Sequence, residues 1–252
     1  MIIFNTDLDN TIIFSYKHDI GENKICAEIY RDREVSFITP KTAELLKRVN
    51  ESTMFVPTTT RTLEQYNRID LGLGTPKYAL VCNGGVLLID GQENTEWYEE
   101  SRRLVSDCDS ELKKAEVLLE NDENRTLDVR NIRELFIFTK SDNPLETACM
   151  LEKELDSAKV DIYTNGVKVY VLPKRLTKGE AAMRLKNRLG AELVIAAGDS
   201  DFDVSMLNAA DLAIMPYELS EMYSFGDNTA VHSGDNVFSE FVLETVLEKS
   251  SC

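Results

Sequence analysis

Short apolar runs alternate with amphipathic stretches at both ends of the chain. Such runs between polar segments are typical of buried strands, and they lie at residues 2–6, 54–56, 78–82, 193–197 and 212–215. Helices are predicted between them. Thr39 and Pro40 suit an N-cap and a first helical position, and Thr177 with Glu180 forms a capping box. Strands that alternate with helices predict an α/β fold, with a Rossmann-like, doubly wound and mostly parallel sheet.

The middle of the chain has a different pattern. Asn165-Gly166 separates two alternating apolar stretches, which is the strongest short signal of a β-hairpin. Strands, helices and hairpins follow one another here without a βαβ rhythm. We therefore predict an inserted α+β cap domain, residues 85–172, within a catalytic core of residues 1–84 and 173–252.

Two further local predictions concern a helix and a hairpin. Residues 104–120 carry apolar positions at helical spacing and predict one amphipathic helix. Residues 24–39 predict a hairpin around the polar turn Arg31-Asp32-Arg33, which could act as a flap over a site. The last helix is predicted at residues 236–248, after Asp235.

Composition narrows the class of protein. The chain has 252 residues, 43% of them apolar, which is enough for a sizeable core, and its formal net charge is −16. That charge is opposite to the basic footprint of a nucleic-acid-binding protein. The five cysteines are scattered, as in a reducing compartment, and no apolar run approaches the ~20 residues of a membrane span. We expect a cytoplasmic protein without nucleic-acid or membrane partners; nothing indicates an oligomeric state.

Acidic residues follow two of the predicted buried strands. Asp7 and Asp9 come directly after the first strand, and Asp199 begins an acidic cluster after the strand at 193–197. Buried carboxylates need cations or hydrogen-bond donors, and ligands of open α/β sheets bind beyond the carboxyl ends of the strands. The two clusters therefore predict one site for Mg²⁺, which prefers oxygen ligands. Lys178, at a helix start, would favour an anion there, and the Thr59 hydroxyl could donate to a phosphate oxygen.

Four motifs in order make the chain similar to the haloacid dehalogenase superfamily of phosphohydrolases. The matching residues are Asp7-Leu8-Asp9-Asn10-Thr11 for Asp-x-Asp-x-Thr, Thr59-Thr60-Arg61 for Thr-Gly-Arg, Lys178 for the third-motif lysine, and Gly198-Asp199-Ser200 with Asp203 for Gly-Asp-Ser-x-Asn-Asp. Thr60 and Phe202 depart from the usual Gly and Asn. The insertion between the second and third motifs resembles the large α/β cap of sucrose-phosphate, trehalose-phosphate and mannosylphosphoglycerate phosphatases.

The resemblance implies a role for each matching position. Asp7 would be the nucleophile and Asp9 the general acid and base, while Lys178 and Thr59 would stabilise the transferring phosphoryl group. The resemblance also implies Mg²⁺ ligands, substrate contacts and residues behind the ligands. The ligands would be Asp7, Asp9 through its carbonyl, and Asp199; the substrate contacts Thr11, Thr60 and Arg61; the supporting residues Ser200 and Asp203.

The function implied is a Mg²⁺-dependent phosphatase that hydrolyses a small phosphorylated metabolite, such as a sugar phosphate, through an aspartyl-phosphate. Two alternatives stay open. One is a phosphotransferase on the same scaffold, which would pass the phosphoryl group to another hydroxyl. The other is a non-catalytic module that binds a phosphorylated ligand.

Overall fold

The computed structural model describes residues 1–250, so Cys252 and its neighbour lie outside the described residues. The strands, numbered along the chain, are β1 (Ile2–Thr6), β2 (Phe14–Ser15), β3 (Ile25–Tyr30), β4 (Arg33–Ile38), β5 (Met54–Pro57), β6 (Tyr78–Val81), β7 (Val86–Ile89), β8 (Gln92–Glu93), β9 (Arg130–Ile132), β10 (Phe136–Lys140), β11 (Val160–Asn165), β12 (Lys168–Pro173), β13 (Leu193–Ala197), β14 (Leu212–Pro216) and β15 (Thr229–His232). The helices are α1 (Pro40–Ser52), α2 (Leu63–Tyr66), α3 (Thr95–Val105), α4 (Asp109–Glu120), α5 (Pro144–Glu154), α6 (Lys178–Leu189), α7 (Val204–Ala209), α8 (Tyr217–Met222) and α9 (Phe238–Ser250), with 3-10 turns at Ser106–Cys108 and Asp201–Asp203.

The chain divides into two compact units. The first combines Met1–Asn94 with the chain from Thr177 onward, and the second is Thr95–Leu176. The predicted insertion, residues 85–172, starts earlier than the second unit. The difference arises because β7 pairs antiparallel with β6, and β8 with β7, which keeps this hairpin in the first unit.

A parallel sheet forms the centre of the first unit and confirms the predicted α/β class. Its strand order is β15-β14-β13-β1-β5, and every neighbouring pair is parallel. Thr6, the last residue of β1, lies opposite Ala197 of β13 and Pro57 of β5. The residues that follow these three strands therefore lie at one edge of the sheet, where an open α/β sheet binds its ligands.

Helix α1 begins where its sequence predicts. The Thr39 side chain accepts a hydrogen bond from the Thr42 amide, and Pro40 is the first helical residue. The helix buries Leu46, which belongs to the same apolar cluster as Phe4 and Phe55 of the sheet and Val242 of α9. Burial of such side chains provides most of the driving force for folding.

The predicted hairpin at residues 24–39 is confirmed as β3 and β4. Arg31 and Asp32 connect the strands with φ angles of 51° and 58°, values that suit a tight hairpin turn. The pairing register of β3 shifts on both sides of Glu28, which marks a β-bulge. A bulge redirects the side chains of its strand, and here Ala27 and Glu28 are both buried.

The second unit contains a four-stranded antiparallel sheet, β11-β12-β10-β9, with helices α4 and α5. The hairpin predicted around Asn165-Gly166 is confirmed, but its turn lies one residue later: Asn165 ends β11 and pairs with Lys168, so Gly166 and Val167 connect the strands. The single helix predicted at 104–120 is wrong: α3 ends at Val105, and α4 begins at Asp109. A 3-10 turn, Ser106–Cys108, lies between them, although the buried positions Val105, Cys108 and Leu112 keep helical spacing across it.

None of the helices within residues 1–250 combines the length and the apolar character needed to span a bilayer.

Candidate active site

Lys178 and Asp7 form a buried ion pair at the carboxyl edge of the parallel sheet. The Asp7 amide continues the pairing of β1 by donating to the Ala197 carbonyl at 2.9 Å, which fixes the side chain just past the strand. Lys178 is the first residue of α6, and its side chain is 1% exposed. Its Nζ lies 2.5 Å from Asp7 Oδ1 and 2.6 Å from Asp203 Oδ1. The ammonium therefore joins residues from two distant parts of the chain.

Asp203 stabilises the turn after β13, and both of its carboxylate oxygens accept hydrogen bonds there. Its Oδ1 accepts from Lys178, and its Oδ2 accepts from the amides of Asp199 and Ser200 at 3.2 and 3.1 Å and from Ser200 Oγ at 2.8 Å. Phe202, which stands where the motif usually has Asn, is buried. Asp203 orients both Lys178 and the backbone that carries Asp199.

Gly198 is required by the close approach of Asp203. A Cβ atom at position 198 would lie 2.3 Å from Asp203 Cβ and 2.9 Å from its Oδ2. We expect Gly198→Ala to displace Asp203 and lower the free energy of unfolding by about 1–3 kcal/mol, because overpacking strains a dense interior. Urea denaturation measures this loss. Gly226→Ala is the matched control, because a Cβ there meets nothing within 4 Å. Equal stability of the two variants would contradict the steric argument.

Three carboxylates converge beside Lys178. Within residues 1–250, Asp7, Asp199 and Asp203 each offer an oxygen, and these oxygens all lie within 4.8 Å of one another. The Thr11 hydroxyl donates to Asp199 Oδ1 at 3.1 Å. A group of hard oxygen donors in one place suits a divalent cation such as Mg²⁺.

The carboxylates of this cluster outnumber the one ammonium beside them, and this shifts their pKa values. Burial raises the pKa of Asp7 well above its ordinary value; Lys178 opposes this rise, while Asp203, Asp199 and Asp9 add to it. Burial and the Asp203 carboxylate raise the pKa of Asp199 to about 7. Burial alone would lower the pKa of Lys178, but Asp203 and Asp7 raise it above its ordinary value. One ammonium is thus surrounded by an excess of acidic groups, and the site fits a bound cation.

The second predicted motif follows β5 on the other side of β1. Thr59 is fully buried, and its amide donates to the Leu80 carbonyl at 2.8 Å. Its Oγ1 accepts the Arg61 amide at 3.1 Å, while Thr60 between them is half-buried. The Arg61 guanidinium makes a two-pronged ion pair with Asp9, with Nε–Oδ2 and Nη2–Oδ1 distances of 2.7 and 2.6 Å. The structure therefore brings the motif residues into two hydrogen-bonded groups: Asp7 with Lys178, Asp203, Asp199, Ser200 and Thr11, and Asp9 with Arg61 and Thr59.

Glu28 also belongs to this arrangement, although no sequence motif points to it. Its carboxylate binds Arg61 Nη2 at 2.9 Å and Arg68 Nε at 3.0 Å. A glutamate between Ala27 and Ile29 in a predicted hairpin strand is ordinarily a solvated residue. Only the bulge in β3 turns it inward, and the motif pattern contains no signal for it.

Comparison with known proteins places the chain in a family. A sequence profile of the haloacid dehalogenase-like hydrolases matches residues 89–216, just over half of the chain, including Lys178 and Asp199. A phosphoglycolate phosphatase of Methanopyrus kandleri is 28% identical over 150 residues, which are 55% of this chain and 59% of that enzyme. One of Sulfurisphaera tokodaii is 24% identical over 226 residues, covering 87% of this chain and 90% of the relative.

A solved structure with this fold covers nearly the whole chain. The sucrose-phosphatase of Synechocystis, determined with sucrose and phosphate, covers 98% of both chains with a TM-score of 0.63 at 14% identity. This shared fold agrees with the sequence profile, which matches just over half of the chain, and with the convergence of the motif residues. The chain belongs to the haloacid dehalogenase-like hydrolase family.

Proposed function

We propose that this protein is a Mg²⁺-dependent phosphatase that hydrolyses a small phosphorylated metabolite through an aspartyl-phosphate at Asp7. The observation that carries the proposal is the Lys178 ammonium, buried 2.5 Å from Asp7 Oδ1 beside the carboxylate of Asp199. A nucleophilic carboxylate, a fixed cation and a set of metal ligands are what phosphoryl transfer requires. The names of the two curated relatives and of the solved structure support phosphoglycolate and sugar phosphates as candidate substrates.

The proposed reaction has two steps. In the first, an Asp7 carboxylate oxygen bonds to phosphorus as the phosphorus–alcohol oxygen bond breaks, and Asp9 delivers a proton to the departing oxygen. In the second, Asp9 takes a proton from a water molecule, whose oxygen bonds to phosphorus as the Asp7–phosphorus bond breaks. Lys178 holds Asp7 in place and offers positive charge to the transferring group, and Thr59 donates its hydroxyl to a phosphate oxygen.

The proposed Mg²⁺ ligands are the Asp7 and Asp199 side chains and the Asp9 carbonyl. Asp203 is assigned a supporting role, because its two oxygens are already occupied by Lys178, Ser200 and the Asp199 amide. When bound, Mg²⁺ supplies positive charge that offsets the negative charge of the phosphate oxygens. We also propose that the second unit, Thr95–Leu176, acts as a cap domain, which would exclude bulk water during the first step.

A substrate panel tests the proposed function. Purified protein with Mg²⁺ is expected to release inorganic phosphate from at least one of phosphoglycolate, sucrose 6-phosphate, trehalose 6-phosphate and 4-nitrophenyl phosphate. Phosphoryl transfer to an added alcohol in place of water would identify a phosphotransferase. Binding of a phosphorylated compound without any turnover would identify a binding module, and either result would reject the proposed hydrolase.

Removal of divalent cations is expected to abolish phosphate release. Without added positive charge the cluster around Asp7 and Asp199 repels an anionic substrate, so chelation should lower turnover at least about 10²-fold, and excess Mg²⁺ should restore it. Asp199→Asn should raise the Mg²⁺ concentration needed for half-maximal activity. Asp201→Asn is the matched control, because Asp201 belongs to the same turn but is exposed. Full activity in the presence of the chelator would contradict the metal requirement.

A further inference from the structure

Glu28 is a buried carboxylate held by two arginines. Its side chain is 3% exposed, and it accepts hydrogen bonds from Arg61 Nη2 at 2.9 Å, Arg68 Nε at 3.0 Å and Ser36 Oγ at 2.8 Å. Burial alone would raise the pKa of Glu28, but the hydrogen bonds from Arg61, Ser36 and Arg68 lower it from its ordinary value. Glu28 is therefore a fixed negative charge within the first unit.

Arg61 connects this fixed charge to Asp9. Its guanidinium donates Nε and Nη2 to the two Asp9 oxygens, Nη2 to Glu28 and Nη1 to the Gln65 carbonyl. These contacts use four of the five N–H groups of the guanidinium. The Arg61 side chain is 13% exposed, whereas the Asp9 side chain is 48% exposed. Arg61 is thus held by buried partners on one side, and on the other side it binds the more exposed carboxylate of Asp9.

The contacts that Arg61 makes with residues other than Asp9 matter because Asp9 takes part in the proposed reaction. Asp9 becomes neutral when it carries the proton, which weakens its ion pair with Arg61 and lets the carboxyl group turn. Glu28 and the Gln65 carbonyl hold Arg61 independently of Asp9, so the guanidinium stays in place while the carboxylate turns. Catalytic geometry of this kind is sensitive to displacements of about 1 Å.

We propose that Glu28 is a positioning residue for the reaction. It fixes Arg61, and Arg61 in turn keeps the Asp9 carboxylate within reach of the leaving oxygen of the substrate. This inference rests on the proposed phosphatase function and deepens it. It also assigns Arg61 to Asp9 in preference to a direct contact with the substrate. The hairpin of β3 and β4 then contributes a buried carboxylate to the group around Asp9.

The test compares two esters of similar size that differ in leaving group, benzyl phosphate and 4-nitrophenyl phosphate. An alkoxide needs a proton to depart, whereas 4-nitrophenolate departs without one. Glu28→Gln keeps the size of the side chain but removes its charge. We expect this variant to lower kcat/KM at least about tenfold for benzyl phosphate and less than about threefold for 4-nitrophenyl phosphate. The ratio of the two values reports the position of Asp9 and is insensitive to a uniform loss of folded enzyme.

Arg61→Lys gives an independent measurement should Glu28→Gln fold poorly. A lysine ammonium is a single point charge and does not span two carboxylates as a guanidinium does, so the same preference for 4-nitrophenyl phosphate is expected. In the Arg61→Lys background, Glu28→Gln should change the ratio no further, because its effect passes through Arg61. Glu240→Gln is the matched control: Glu240 is a partly buried carboxylate that accepts a hydrogen bond from Thr39 on another part of the unit.

The outcomes separate this inference from the proposed function. Equal losses for both esters in Glu28→Gln, or a further change of the ratio in the double variant, would overturn the positioning role and leave the phosphatase intact. A wild-type protein that releases phosphate from neither ester nor from the substrate panel would refute the proposed function, and the role of Glu28 with it.

Discussion

Replacement of Asp7 by Asn is expected to abolish phosphate release and to leave the fold intact. The amide retains the shape of the side chain and an oxygen that accepts the Lys178 hydrogen bond, but it is no nucleophile toward phosphorus. Because a covalent step has no alternative group at this position, we expect turnover to fall at least about 10³-fold. Phosphate release with the best substrate of the panel measures this loss.

The same variant is expected to be at least as stable as the wild type. Folding raises the pKa of Asp7, chiefly through burial. A carboxyl whose pKa is raised on folding destabilises the protein at every pH above its unfolded pKa of about 4, and a neutral amide removes this cost. Lys178 keeps a carboxylate partner in this variant, because its Nζ also lies 2.6 Å from Asp203 Oδ1. Thermal denaturation without metal should therefore show an equal or higher Tm. Asp201→Asn, in an exposed position of the other acidic cluster, should change neither property. Turnover within about tenfold of wild type in Asp7→Asn would end the proposal of a covalent intermediate.

Replacement of Lys178 by Met is expected to destabilise the protein strongly as well as to inactivate it. Methionine fills the space of the aliphatic stem but leaves Asp7 and Asp203 without the ammonium that lies 2.5 and 2.6 Å from them. Removal of one partner of a buried ion pair costs about 3–5 kcal/mol. In a chain of this length that loss lowers Tm by about 10 °C, which calorimetry detects readily.

Lys186→Met on the same helix is the matched control for this loss. The Lys186 ammonium lies 2.9 Å from Asp211 Oδ2, but the two side chains are 19% and 39% exposed. Pairs of this kind contribute about 1 kcal/mol or less. Adding Asp7→Asn to Lys178→Met should restore part of the stability, because it removes one of the two carboxylates left unpaired. Equal destabilisation by the two lysine substitutions, or strict additivity in the double variant, would contradict a buried network at Lys178.

Local sequence chemistry determined the elements and the motif positions. Thr39 and Thr177 cap helices through side-chain hydrogen bonds that depend only on the next three residues. The turn that begins at Gly166 likewise depends on a positive φ, here 57°, which glycine adopts without steric cost. Asp7 and Asp199 follow apolar runs that form neighbouring strands, so their convergence follows from the parallel order of those strands.

The tertiary structure alone decided which side chains partner one another. The break between α3 and α4 does not show in the apolar pattern, because the buried residues Val105, Cys108 and Leu112 keep helical spacing across it. Glu28 belongs to the Asp9–Arg61 group because a bulge turns it inward toward residues 33 and 40 positions further along the chain. Caps and turns are interactions between near neighbours, so the sequence specifies them directly. Ion pairs between distant residues depend on how strands and loops pack. That packing is determined by interactions throughout the folded unit, so no short stretch of sequence specifies it.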